Sequence, residues 1–135
     1  MSEKKYKPQL IARESAIKIL YQMKMQDETF EKIMNGFIEK REYDVSLLER
    51  ILSEYVENKD RIISLLDKKA DVSLENLPLL DECIIHLSVC EFLFINQSKN
   101  IVINEYINIA KKYSSPKMYT FLNKVLDLSL IHISE

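Results

Sequence analysis

Apolar residues recur along this chain at intervals of three and four, with charged and amide side chains between them. That is the period of helices that bury one face. Pro8 is suited to the first position of a helix whose core-facing arc is Leu10, Ala12, Ala16, Ile17, Ile19, Leu20, Tyr21 and Met23. Asp27-Glu28-Thr29 ends this helix and caps a short second one carrying Phe30, Ile33, Met34 and Phe37, with Gly36 inside it as a place for close approach. Lys40-Arg41-Glu42 reads as a polar linker. Asp44 then opens a third helix over Leu47, Leu48, Ile51, Leu52 and Tyr55. Asn58 to Asp60 marks a boundary, Ile62, Ile63, Leu65 and Leu66 form a fourth segment, and Lys68 to Asn76 is a connection.

The stretch from Pro78 to Phe94 is apolar nearly all round, which predicts the central helix of the fold. Residues 101–127 predict two amphipathic helices. In the first, Val102, Ile103, Tyr106, Ile107, Ile109, Ala110 and Tyr113 share one face; Asn104, Glu105, Asn108, Lys111 and Lys112 share the other. Ser114-Ser115-Pro116 breaks and restarts the helix, with Ser115 as N-cap and Pro116 at the first position. In the second, Met118, Phe121, Leu122, Val125 and Leu126 form the apolar stripe, and Lys117, Thr120, Asn123, Lys124 and Asp127 the polar one.

Length and composition agree with this pattern. A chain of 135 residues with one glycine, three prolines and no period-2 alternation predicts a single all-α domain. No apolar run reaches the ~20 residues of a membrane span, and no signal-peptide core is visible, so a cytoplasmic protein is expected. Cys83 and Cys90 lie seven residues apart on one predicted helix, ~10 Å along its axis, too far for a disulfide. They are expected as reduced, buried thiols.

The net charge of −2 conceals a division. Residues 1–26 carry Lys4, Lys5, Lys7, Arg13, Lys18 and Lys24 against Glu3 and Glu14, an excess of four positive charges. Residues 99–124 carry Lys99, Lys111, Lys112, Lys117 and Lys124 against Glu105, again an excess of four, and acidic residues predominate between. Two basic ends on an acidic body predict one anion-binding surface, provided they meet; solvated helix faces are the plainer reading. Two charges intrude on apolar faces: Arg13, between Ile17 and Leu20, and Glu91, among Leu80, Ile84 and Leu87. A lone buried charge costs several kcal/mol, so a buried or half-buried Arg13–Glu91 ion pair is expected, with Glu105 as the alternative acid; a direct role of Arg13 in ligand binding is the other reading.

The catalytic inventory is thin. His86 and His132 have no Ser or Asp at productive spacing, one glycine cannot build a phosphate loop, and no ligand set for a metal or cofactor stands out. An enzyme is not expected. Lysines and aromatics do interleave at both ends: Lys4, Lys5, Tyr6, Lys7 and Tyr21, then Lys111, Lys112, Tyr113, Lys117, Tyr119, Phe121 and Lys124. Lysine attracts phosphate, and an exposed ring stacks unpaired bases for about 1–3 kcal/mol each. Tyr21, Tyr113 and Phe121 as core residues are the alternative. No row of Arg, Asn and Gln suits the major groove of DNA, so single-stranded RNA fits better.

Ile103-Asn104-Glu105 with Ala110-Lys111, then Phe121-Leu122-Asn123 with Val125-Leu126-Asp127, resemble the C-terminal signature of the NusB family. Ala12-Arg13-Glu14-Ser15-Ala16 with Leu20-Tyr21 is similar to that family's first helix. The resemblance spans nearly the whole chain and rests on the order and spacing of these motifs. It implies a compact all-α bundle of about seven helices, two three-helix sub-bundles packed together with one extra helix. The basic arm would cover residues 1–7, the N-terminal bundle about 9–76 and the C-terminal bundle about 77–131. It also implies pairing with NusE, a small-subunit ribosomal protein, and binding of the boxA element of nascent ribosomal RNA. With other Nus factors the complex helps elongating RNA polymerase resist termination. The chain departs from the family pattern in four places. Gln9-Leu10-Ile11 stands for an arginine-rich run, His86 for an Arg, Cys90 for an aromatic and Lys124 for a Gly. Lysines supply charge without the bidentate fork of arginine. A helical protein–protein adaptor without nucleic-acid contact, its acidic middle binding a basic partner, is the rival reading.

Overall fold

The computed structural model describes residues 8–69 and 77–133; the side chains of 68, 69, 119, 121 and 127–133 lie outside the description. The described residues form helices and their connections: α1 Pro8–Gln26, α2 Phe30–Gly36, α3 Val45–Lys69, α4 Leu79–Phe94, α5 Lys99–Tyr113 and α6 Pro116–Ile133. The protein is all-α. The third and fourth segments predicted from sequence are one helix, α3, and the boundary expected at Asn58 is absent. Asn58 lies buried on that helix. Its amide donates to the Glu54 carbonyl at 2.9 Å and to Glu54 Oε1 at 3.1 Å. An amide that bonds one turn back within its own helix no longer competes for the backbone outside it.

The chain divides into two compact units, Met1–Ser53 and Glu54–Glu135. In the first, α1 starts at Pro8 as expected and packs on α2. Ile11, Ala12, Ala16, Ile17, Ile19 and Leu20 are buried, and so are Arg13, Glu14 and Ser15 between them. The burial therefore extends round the helix from 11 to 17, wider than the arc read from the wheel, and takes in Ile11 while leaving Leu10 half-exposed. Asp27 ends α1 at a φ of 55°, and the Glu28 N–H bonds back to the Met23 carbonyl at 3.1 Å. This is a helix stop that short polar residues tolerate in place of glycine. Thr29 caps α2, accepting from the Lys32 N–H at 3.3 Å. Gly36 closes α2, and a Cβ there would meet nothing within 4 Å, so it serves no close approach.

The link from α2 to α3 is held by charge. Arg41 grips Glu39 through Nε–Oε2 at 2.8 Å and Nη2–Oε1 at 3.0 Å, and its Nη2 lies 3.6 Å from the buried Glu14 of α1. The Arg41 guanidinium, seconded by Lys18, holds the Glu39 carboxyl down to about 2. Asp44 then donates its N–H to the Pro8 carbonyl at 3.2 Å and caps α3 through the Leu47 N–H at 2.9 Å.

The second unit is built on α4, every residue of which from Cys83 to Phe92 is buried. Both α5 and α6 pack on α4 and on each other. They contribute Val102, Tyr106, Ile109 and Ala110, and Met118, Leu122, Val125 and Leu126, to its core. From α3 come Tyr55, Ile62 and Leu66. The Tyr55 hydroxyl lies 3.0 Å from His86 Nδ1 with the two rings stacked, and Arg61 sits 5.1 Å from the Phe94 ring centre. Lys99 closes the α4 C-terminus, donating to the Phe92 carbonyl at 3.1 Å with its ammonium 4.6 Å from that ring's centre. A cation on an orphan carbonyl at a helix end is doubly favoured.

Candidate nucleic-acid interface

The sequence-predicted site residues of the second unit gather round the α5–α6 turn. Lys111, Lys112 and Tyr113 end α5; Lys117 opens α6 and Lys124 follows two turns later on the same face, with Thr120 and Asn123 exposed between. All four lysines are exposed. Tyr113, placed by its period on the apolar face of α5, is 40% exposed, with Lys112 Nζ 5.2 Å from its ring centre. Tyr113 is the last residue of the helix, so no following turn of it covers the ring.

The turn is closed by its own sequence. Ser114 leaves the helix with φ −138° and ψ −173°, its N–H bonded to the Ala110 carbonyl at 2.7 Å. Ser115 caps α6, its Oγ accepting from the Met118 N–H at 3.3 Å, and Pro116 takes the first position as expected. One hydrogen bond here was not legible in the sequence. The Ser114 hydroxyl donates to Asp81 Oδ1 at 2.7 Å, joining the turn to the first turn of α4. The two residues are 33 apart and share no period, so no local signal pairs them.

The remaining candidates are placed otherwise. Tyr21 is half-buried on α1 in the first unit. Lys4, Lys5 and Lys7, and the side chain of Phe121, lie outside the described residues. Arg13, 2% exposed on α1, and Glu91, fully buried on α4, are each interior, as their wheel positions predict. Glu91 Oε1 accepts from the Tyr106 hydroxyl of α5 at 2.8 Å, a partner that the sequence does not suggest.

The interior polar groups of the second unit are poorly suited to chemistry. Burial, with the acidic groups of Cys83, Glu82 and Cys90 nearby, pushes the Tyr55 hydroxyl well above its usual range. Burial raises the Cys90 thiol as well, with Glu54 and Glu91 adding to it. A thiol held protonated and buried is inert as a nucleophile. Among the described residues no group of three or more His, Cys, Asp or Glu side chains could hold a metal ion, and no helix is long and apolar enough to cross a membrane.

Fold and site together define a helical protein that exposes, in its second unit, a cluster of lysines with an aromatic ring at a helix–helix turn. Residues 10–130 match the family model of NusB, and the chain belongs to the NusB family. The transcription antitermination protein NusB of Clostridium botulinum is 32% identical over 124 residues, covering 87% of this chain and 93% of that protein. That of Oceanobacillus iheyensis is 27% identical over 116 residues, covering 85% and 92%. The solved structure of T. maritima NusB superposes with a TM-score of 0.80 at 27% identity, covering 96% of this chain and 95% of that one.

Proposed function

We propose that this protein is an RNA-binding transcription antitermination factor. With NusE it binds boxA-like single-stranded RNA in nascent ribosomal RNA transcripts. With other Nus factors it helps the elongating RNA polymerase resist termination, in the cytoplasm where those transcripts are made. The observation that carries the reading is membership of the NusB family over residues 10–130, joined to four exposed lysines round one turn of the second unit. Lys111, Lys112, Lys117 and Lys124 supply phosphate contacts, assisted by Lys4, Lys5 and Lys7 of the N-terminal segment. Tyr21 and Phe121 are the stacking residues that the sequence pattern nominates.

A gel-shift with boxA RNA, with and without NusE, tests this directly. Lys111→Ala combined with Lys112→Ala weakens binding about equally for all sequences, because lysine–phosphate pairs carry no base information. It also flattens the salt dependence, by roughly 0.7 in log–log slope for each phosphate that is no longer neutralised. An adaptor that binds only protein would show no retarded RNA band at any salt concentration.

A further inference from the structure

Of residues 111–117, Ser114 is the one side chain not exposed to solvent. The others are exposed, and within the turn the Ser114 N–H bonds to the Ala110 carbonyl and the Met118 N–H to the Ser115 carbonyl at 2.9 Å. The Ser114 hydroxyl ties the turn to another helix. It reaches Asp81 Oδ1 at 2.7 Å, a short hydrogen bond to a carboxylate on the central, almost wholly buried helix of the unit.

We propose that Asp81 and Ser114 are positioning residues for the lysine-bearing turn, holding Lys111, Lys112 and Lys117 in the arrangement that meets the RNA backbone. The proposal rests on the RNA-binding reading above. Its logic is electrostatic as well as geometric. Asp81 brings a negative charge to the base of a turn whose task is to attract phosphate, so its charge alone opposes RNA. Its hydrogen bond favours RNA, because a turn held in place before binding loses less conformational freedom on binding. Charge and hydrogen bond therefore have opposite signs and can be separated by substitution.

Ser114→Ala removes the bond and keeps every charge. It weakens RNA binding about three- to tenfold while leaving the salt slope at the parent value, because every lysine that neutralises a phosphate is still present. Ser114→Thr, which keeps the hydroxyl, restores parent affinity. Asp81→Asn keeps a side-chain acceptor and removes the charge, and binds RNA at least as tightly as the parent. Amide exchange of residues 112–118, followed without RNA, accelerates in Ser114→Ala and not in Ser114→Thr.

Three results would overturn the proposal. The turn could keep its exchange protection in Ser114→Ala, which refutes the tether whatever RNA does. Ser114→Ala could bind as the parent does while the Lys111/Lys112 variant loses RNA, which refutes positioning and leaves the RNA surface standing. The parent could fail to retard boxA RNA with NusE present, in which case the functional reading fails and the positioning role falls with it.

Discussion

Glu91 shows what a buried acid requires. It sits on the most apolar helix of the chain with no exposure to solvent, and Tyr106 reaches it from the next helix at 2.8 Å. Tyr106→Phe deletes that donor and leaves the ring in place, so the loss is that of a hydrogen bond to an acid. Urea denaturation should show about 1.5–3 kcal/mol of destabilisation. Glu39 offers a pH-dependent counterpart. Arg41 depresses its carboxyl from an ordinary value near 4.5 to about 2. A depressed acid contributes its stability in full above the unfolded value and loses it as pH falls through the folded one. The parent should therefore be more stable than Glu39→Gln above about pH 5, and the two should converge towards pH 2. Equal stabilities across an acid titration followed by circular dichroism would show that the Glu39–Arg41 pair adds nothing.

Helix boundaries in this protein follow side-chain caps where the cap is local. Thr29 and Asp44 begin α2 and α3, and Ser115 with Pro116 begins α6, each through a bond three residues ahead. Ser115→Ala should cost about 1 kcal/mol in thermal or urea unfolding, with Ser115→Asn close to the parent. Asn58 is the instructive exception. The residue type suggests a break, yet its side chain is spent on Glu54 and the helix runs on to Lys69. The apolar positions Ile51, Leu52, Tyr55, Ile62 and Leu66 hold one face across that point. Core burial of a continuous stripe outweighs a weak local preference.

At the level of the whole molecule, the proposed division of labour gives the basic residues to RNA and the acidic helical body to NusE, itself a basic ribosomal protein. Deleting residues 1–7 removes Lys4, Lys5 and Lys7 and no residue of any described helix. RNA affinity should fall and become less salt-dependent, while a pull-down with NusE should be unaffected. Loss of NusE by the truncated protein would place the protein-binding surface in the basic segment instead.

The all-α class, the starts of α1, α2, α3 and α6, the centrality of α4 and the interior placement of Arg13 and Glu91 were all legible in the sequence. Each depends on periodicity or on groups within four residues of one another, and such relations survive in a linear chain. The NusB motifs were legible for the same reason, as fixed residues at fixed spacing. Tertiary structure decided the rest. It joined the third and fourth predicted segments, turned Tyr113 outward, buried Glu14 and Ser15 with α1, and matched Glu91 with Tyr106 and Ser114 with Asp81. Those outcomes depend on which helix lies beside which. A hydroxyl and a carboxylate 33 residues apart carry no mark of each other until packing brings them to 2.7 Å.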